Sequence, residues 1–272
     1  MISTRTSCFN NNTKLKSIPI FDENFRINVK SFTIVPVTGI DSTNNHLKEL
    51  NRTGKIPEGT VILADFQTKG RGRGTNTWYS GKDLNILMSV LLQPGIHAEK
   101  FFFLTEIASL ALTDLLSEIG ISAKVKWPND IYSGTKKLAG LLIENAITSG
   151  IIESTVVGIG LNVNENVFPE SLPNPVSIKN ITGKDHNIDH LLELLLNKLM
   201  ARYNSMLAGD YFDMHKEYNS RLFRRNMQNR FSFKGRQFEA SILSVREDGL
   251  LVLKTESGEL TAYSFGDLEM II

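Results

Sequence analysis

Between residue 32 and about residue 220, short apolar runs alternate with longer amphipathic stretches. Apolar runs of about four to eight residues are typical of buried strands, whereas apolar residues spaced three and four positions apart are typical of helices. The runs predict strands at residues 32–37, 60–65, 84–92, 124–127, 137–144 and 156–163. The amphipathic stretches predict helices at residues 43–51, 99–119, 190–207 and 211–219. This mixture favours an α/β or α+β domain built on one mainly antiparallel sheet.

The sequence changes character on both sides of this region. Residues 1–30 are polar and asparagine-rich without sustained periodicity, which predicts an N-terminal extension and not a domain. Residues 31–225 are then the main domain. Residues 226–272 contain short β-type runs at 231–233, 237–245, 250–254, 260–264 and 268–272. Two Gly-containing turns at residues 248–249 and 257–258 join neighbouring runs as hairpins, so this segment predicts a small β-barrel.

The charge balance excludes several classes of partner. Thirty basic and 29 acidic side chains give a formal net charge of +1, so the chain has no overall attraction for nucleic acid or anionic membranes. Any anion site must therefore be local. The single Cys8 excludes an internal disulfide framework and a cysteine-built metal cluster. With neither a spanning apolar run nor an apolar signal segment, we expect a cytoplasmic protein.

A glycine- and arginine-rich segment follows the predicted strand at 60–65 and contains Gly70, Arg71, Gly72, Arg73 and Gly74. Glycine permits unusual backbone angles, so that N–H groups can surround an anion, and guanidinium groups add charge-assisted donors. The segment predicts a loop that closes around an anionic group. Taken alone, it fits equally well a flexible basic loop or a nucleic-acid patch.

Other polar groups stand at the ends or in the interior of predicted strands and helices. They are Ser42, Thr43 and Asn44, then Gln67 and Trp78, then Lys126, Asn129 and Asp130, then Lys137 with Gly140, and finally Asn162. Each has an ordinary structural interpretation as a helix cap, a turn, a solvated charge or a core residue. Together they predict a pocket for a partly apolar, anionic ligand, with strand glycines that leave room for it.

The ordered set of segments 41–44, 70–74 with Trp78, 126–130 and 137–140 closely resembles the biotin–protein ligases, and segment 158–162 fits as well. The resemblance runs from about Phe32 to the C-terminus. It implies an α+β, class II aminoacyl-tRNA-synthetase-like catalytic domain followed by an SH3-like barrel. It also implies that biotin and ATP give biotinyl-5′-AMP, and that a lysine of a biotin carboxyl carrier protein or domain then accepts the biotinyl group. Magnesium would accompany the phosphates.

The resemblance assigns a role to each matching residue. Ser42, Thr43, Asn44 and Gln67 would hold the biotin head group, with Trp78 and Gly140 packed nearby. Gly70, Arg71, Gly72 and Arg73 would form the loop that closes over biotin and the adenylate phosphate. Lys126, Asn129, Asp130 and Asn162 would face the nucleotide. Lys137 would lie between the biotin carboxylate and the α-phosphate, and it would share the catalytic role with Arg71 and Arg73. No metal ligand is identified.

Two departures from the family pattern limit what is carried over. Many members continue the glycine loop with an arginine and then a glycine, whereas this chain has Gly74 and Thr75, which leaves the pyrophosphate contacts open. The regulatory members begin with a DNA-binding domain, whereas residues 1–30 show no helix-turn-helix pattern, so no DNA binding is expected. A homodimer is neither favoured nor excluded.

Two alternative functions remain at this point. A lipoate–protein ligase would share the catalytic architecture, but the polar cluster of Ser42, Thr43 and Asn44 suits a ureido group better than a dithiolane. A non-catalytic RNA-binding module would use the glycine–arginine loop and the barrel. The near-zero net charge and the lack of aromatic residues interleaved in that loop disfavour it.

Overall fold

The computed structural model describes residues 27–29, 32–54 and 56–271. Nine strands precede residue 162, namely β1 (Ile27–Val29), β2 (Phe32–Val37), β3 (Thr60–Ala64), β4 (Ile86–Leu92), β5 (Ile96–His97), β6 (Lys124–Lys126), β7 (Asp130–Ser133), β8 (Lys136–Thr148) and β9 (Ile151–Leu161). The helices are α1 (Thr43–Gly54), α2 (Phe101–Glu118), α3 (Ile178–Thr182), α4 (Ile188–Leu207) and α5 (Tyr211–Ser220). Five further strands follow, namely β10 (Gln228–Phe233), β11 (Arg236–Val245), β12 (Leu251–Lys254), β13 (Leu260–Tyr263) and β14 (Leu268–Ile271).

The first nine strands form one sheet in the order β1-β2-β3-β4-β9-β8-β7-β6, with β5 paired to β9. Strands β2 and β3 run parallel, and every other pair in the sheet is antiparallel. The mainly antiparallel sheet of an α+β fold is thereby confirmed. The long hairpin of β8 and β9 turns at Ser149 and Gly150, whose φ angles are 50° and 79°. Two consecutive positive φ angles are typical of the turn that matches strand twist.

The two faces of the sheet carry different cores. Neighbouring strand residues point to opposite faces, so Val61 belongs to the large core and Ile62 to a smaller one. Helix α2, buried along most of its length, packs against the sheet and against α4 and α5 on the large-core side. Helix α1 covers the other face with Leu47 and Leu50, which join Ile62 in the smaller core.

The C-terminal strands form a separate antiparallel sheet in the order β13-β12-β11-β10-β14, as expected from the hairpin signals. The loop between β13 and β14 packs on the main domain through Phe265, whose ring lies 5.3 Å from that of Trp127 and 6.0 Å from that of Phe102 in α2. Trp127 Nε1 also donates a hydrogen bond of 2.9 Å to the carbonyl of Gly249. Buried residues of both sheets belong to one apolar cluster, and the boundary at residue 226 stays a prediction.

The structure adds elements that the sequence patterns did not predict, namely β1, β5, β7 and α3. Strand β1 lies within the range expected to be an extension, and it pairs with the start of β2. Asp130, expected in a turn, is instead the first residue of β7 and pairs with Gly140 of β8. Cys8 and the remainder of the expected extension, residues 1–26, lie outside the described residues. Of the helices described, none has the length and apolar character needed to cross a membrane.

Candidate active site

The candidate site lies on the face of the main sheet that α1 covers. Ser89 pairs with Gly158 across β4 and β9, and both lie two residues from partners in the smaller core, Leu91 and Val156. The two-residue repeat of a strand therefore places Ser89 and Gly158 on the α1 side. The buried first residues of α1 face them, so a helix start meets the centre of the sheet.

A hydrogen-bonded network connects the predicted head-group residues to Ser89, which the sequence analysis missed. The Oγ atom of Ser89, fully buried, lies 2.7 Å from Thr43 Oγ1 and 2.6 Å from Asn44 Oδ1. Gln67 Oε1 accepts a hydrogen bond of 2.8 Å from the backbone N–H of Thr43. Ser42 is also buried beside this network. A lone serine inside the apolar run 86–92 was the signal that could have identified Ser89.

The strand glycines make room for the protein's own site residues. A Cβ on Gly158 would lie 2.1 Å from Asn44 Oδ1. Gly140 and Gly160 are paired across β8 and β9, and a Cβ on either would lie within 3 Å of the Trp78 ring, at 2.9 and 2.5 Å. The expectation that these glycines leave room for a ligand therefore needs correction. They seat Asn44 and Trp78, which then line the cavity.

The glycine–arginine loop folds back on itself. The Trp78 N–H donates to the Gly70 carbonyl at 2.8 Å, and the Gly72 N–H donates to the Asn76 carbonyl at 2.8 Å. A Cβ on Gly70 would lie 2.4 Å from the Trp78 carbonyl oxygen, so this position requires glycine. Gly70 does not line the cavity that contains Thr43 and Asn44, and it acts by shaping the loop.

The two loop arginines make contacts in different directions. Arg71 Nη1 donates to Asn45 Oδ1 at 2.7 Å and lies 3.2 Å from Glu144, a residue that the sequence analysis missed. The guanidinium of Arg73 stacks 4.1 Å above the Phe265 ring of the C-terminal sheet. Burial lowers the pKa of Arg73. Both arginine side chains nevertheless line the cavity that contains Thr43 and Asn44.

Two cavities meet at Trp78 and at the ion pair of Lys137 with Asp130, whose Nζ and Oδ1 atoms are 2.7 Å apart. The first, of about 110 Å³, contains most predicted biotin residues: Ser42, Thr43, Asn44, Gln67, Arg71, Gly72, Arg73, Trp78, Lys137 and Gly140. The second, of about 460 Å³, contains the other predicted groups Lys126, Asp130 and Asn162, and an apolar wall from residues 168–175. Asn129 lines the first cavity, and its amide donates to the Leu141 carbonyl at 2.5 Å.

The second cavity is lined by a cationic residue, Lys126, and by Asn162, whose side-chain oxygen lacks a hydrogen-bond donor. Burial lowers the pKa of Lys126, and the Asp130 carboxylate acts in the opposite direction. Burial likewise raises the pKa of Tyr132 to about 12, so its hydroxyl stays protonated. Asn162 Nδ2 donates to the Val176 carbonyl at 3.0 Å, whereas its buried Oδ1 has no hydrogen-bond partner. A buried acceptor of this kind is costly unless a ligand completes it.

The arrangement suits a ligand with a polar head, an apolar body and an anionic end that continues into a second anionic group. The head-group network closes one end of the first cavity, and Lys137 stands where the two cavities join. No cluster of three histidine, cysteine or carboxylate side chains that could bind a metal occurs in the described part of the chain. Lys137 brings positive charge to the junction, and Arg71 and Arg73 line the first cavity beside it.

Comparison with known proteins places this site in a family. Residues 37–162 match the Biotin/lipoate A/B protein ligase family. The chain is 30% identical over 235 residues to the bifunctional ligase/repressor BirA of Bacillus subtilis, covering 85% of this chain and 72% of that protein. It is 30% identical over 194 residues to the biotin–[acetyl-CoA-carboxylase] ligase of Mycobacterium tuberculosis, covering 67% and 70%.

Comparison with solved structures agrees with this family match. The biotin protein ligase from Aquifex aeolicus, solved in complex with biotin and ATP, superposes with a TM-score of 0.74 at 27% identity, covering 88% of this chain and 98% of that one. The sequence relationship extends over 85% of the chain, and the family match at residues 37–162 contains every residue that lines the first cavity. The chain belongs to the biotin/lipoate A/B protein ligase family.

Proposed function

We propose that this protein is a biotin–protein ligase, which activates biotin with ATP to biotinyl-5′-AMP and transfers the biotinyl group to a lysine of a biotin carboxyl carrier protein. The observation that carries the proposal is the junction of two cavities at Lys137, one ending in the head-group network and the other containing Lys126 and Asn162. The relative named as a biotin–[acetyl-CoA-carboxylase] ligase and the solved biotin protein ligase from Aquifex aeolicus support the same activity.

The head-group network fits a cyclic urea. A ureido group offers one carbonyl acceptor and two N–H donors, and the network around Thr43, Asn44 and Ser89 contains hydroxyl and amide groups that can donate or accept. A dithiolane ring offers no comparable partners, so these buried polar groups would lose their hydrogen bonds to solvent without compensation. Lipoate is therefore disfavoured as the substrate.

In the first step, a biotin carboxylate oxygen attacks the α-phosphorus of ATP. The new bond is the mixed anhydride, and the bond to the oxygen that bridges the α- and β-phosphates breaks as pyrophosphate leaves. Two anionic groups must approach each other, so positioning and charge neutralisation are the main catalytic tasks. Lys137 stands at the junction for this purpose, and Arg71 and Arg73 line the same cavity.

In the second step, the neutral amine of the carrier lysine attacks the acyl carbonyl, and AMP leaves with the bonding electron pair. Magnesium would accompany the ATP phosphates and screen their charge. Asp130 and Glu269 line the second cavity and would offer carboxylate oxygens to this ion, with ATP phosphates and water as its other ligands. A cytoplasmic location and the absence of DNA binding stay predictions.

Pyrophosphate exchange tests the function directly. We expect the protein to incorporate labelled pyrophosphate into ATP when biotin is present, and to show little exchange with lipoate, because only biotin can satisfy the head-group network. The same preparation should then label a biotin carboxyl carrier domain. Exchange with lipoate at the rate seen with biotin would refute the assignment of substrate, and the absence of exchange with either acid would refute the proposed reaction.

Replacement of Arg73 tests the loop. Arg73→Gly is expected to form the adenylate but to release it about ten to a hundred times faster, because a charge-assisted hydrogen bond typically contributes about 1.5–3 kcal/mol. Rapid filtration measures the retained intermediate, and labelling of bystander lysines reports its escape. Lys69→Gly removes an exposed charge from the chain just before the loop and is the matched control. Equal retention by Arg73→Gly and the parent protein would contradict a closing loop.

A further inference from the structure

Two of the chain segments that line the second cavity are far apart in the sequence. Trp78 and Tyr79 belong to one wall, and Asn162, Phe168 and the residues around them belong to the other. Each segment continues away from the cavity into a short polar stretch. These two stretches, residues 80–85 and 163–165, meet behind the walls.

A buried carboxylate joins the two stretches. Glu165 is only 5% exposed, and its Oε2 atom accepts hydrogen bonds from the Gly81 N–H at 2.7 Å and from Asn85 Nδ2 at 3.0 Å. Asn85 extends the connection, because its Oδ1 accepts from the Val163 N–H at 2.8 Å and its Nδ2 lies 2.9 Å from Ser80 Oγ. One carboxylate and one amide thus fix both stretches to each other.

The contact between Glu165 and Gly81 is close. A Cβ on Gly81 would lie 2.7 Å from Glu165 Oε2, so a side chain at this position would push the carboxylate away. Both hydrogen bonds to Oε2 come from uncharged donors. A buried carboxylate needs hydrogen-bond partners, and these two donors supply them at Oε2. Gly81 follows the Trp78 segment and Glu165 follows Asn162, so the contact links two segments that line the second cavity.

We infer that Glu165 is a positioning residue for the nucleotide. By tying Gly81 and Asn85 to the segment that follows Asn162, it sets the separation between the Trp78 wall and the Asn162 wall. The inference rests on the proposed function, because it takes the second cavity to be the site of ATP. The head-group network is formed by other residues, so biotin affinity depends little on Glu165.

Steady-state kinetics and calorimetry with a non-hydrolysable ATP analogue test this role in the full-length chain. Glu165→Ala is expected to raise the KM for ATP and the Kd for the analogue about tenfold, a change of about 1.4 kcal/mol that fits the loss of one buried acceptor. The KM for biotin is expected to change less than about twofold. Glu165→Gln keeps an oxygen that can accept from Gly81 and Asn85, so it should restore ATP affinity to within about threefold of the parent protein.

Two further variants separate positioning from general destabilisation. Asn229→Ala removes a buried amide that donates to the Arg224 and Met227 carbonyls outside both cavities, so it should lower thermal stability and leave the KM for ATP unchanged. As a single variant, Gly81→Ala should weaken ATP binding. Its effect should be smaller in the Glu165→Ala background, where the flexible Leu84 side chain, 2.9 Å from the added Cβ, is the close contact that remains.

An unchanged KM for ATP in Glu165→Ala would overturn the inference, as would a Glu165→Gln variant as impaired as Glu165→Ala. Neither result would affect the proposed function, which requires only that the parent protein catalyse biotin-dependent pyrophosphate exchange. If the parent protein lacked that exchange yet bound the analogue normally, the reaction and not the positioning role would be contradicted.

Discussion

Replacing Lys137 with alanine is expected to lower biotin-dependent pyrophosphate exchange about 100- to 1,000-fold while biotin binding stays measurable. The Lys137 ammonium lies where the two cavities join, 2.7 Å from Asp130 and 5.5 Å from the centre of the Trp78 ring. Negative charge accumulates at this point as the carboxylate meets the α-phosphate. Removal of one preorganised donor to such a charge typically costs about 2.7–4 kcal/mol in the transition state.

The neighbouring lysine provides a matched control for this variant. Lys136 precedes Lys137 on β8 and is exposed, so Lys136→Ala removes the same charge from the same strand without altering the cavities. Biotin binding, followed by calorimetry, should stay measurable in all three proteins, because the head-group network is intact in each of them. A folded Lys137→Ala variant with parental exchange kinetics would show that Lys137 has no catalytic role.

The second large effect is expected at a glycine. Gly158→Ala should weaken biotin binding about ten- to a hundredfold, because its methyl group would occupy the position of the Asn44 side chain, 2.1 Å from Oδ1. Asn44 cannot move aside freely, since its Nδ2 donates to the Leu142 carbonyl at 3.1 Å and to Glu144 at 2.9 Å. Overpacking of a well-packed site typically costs about 1–3 kcal/mol.

Calorimetric titration with biotin measures this effect, and a thermal unfolding curve shows whether the variant is folded. Gly39→Ala is the control, because a Cβ at Gly39 meets no atom within 4 Å. That variant should bind biotin like the parent protein. Parental biotin affinity in a folded Gly158→Ala variant would show that the position of Asn44 is unimportant for the head group.

Strands and helices with clear periodicity were predictable from the sequence, and β7 was not. Apolar runs identified β2, β3 and the second half of β9, because the buried positions of strands are mainly apolar. Strand β7 follows Pro128 and Asn129, which are typical of turns, and begins with a charged residue. Its pairing with β8 is a long-range interaction that local pattern cannot reveal.

The candidate site likewise contains residues that were predictable from the sequence and residues that were not. Thr43, Gln67 and Lys137 could be proposed because polar groups at the ends of elements, taken in order, resemble a family. Ser89 and Glu144 were not proposed, because each stands in a strand whose local pattern has a sufficient structural interpretation. Their importance comes from partners on α1 that only the fold brings close.

The contacts between the C-terminal sheet and the main domain restrict the replacement of that sheet by the corresponding segment of a relative. Trp127, in the segment that supplies Lys126 and Asp130, is held by the Gly249 carbonyl and by the Phe265 ring. Gly249 has a φ of 82°, and a Cβ there would lie 2.6 Å from Phe102. A chimera that takes its last strands from a relative must therefore import a matching partner for Trp127, or it will alter the nucleotide side of the site without any change in the catalytic sequence.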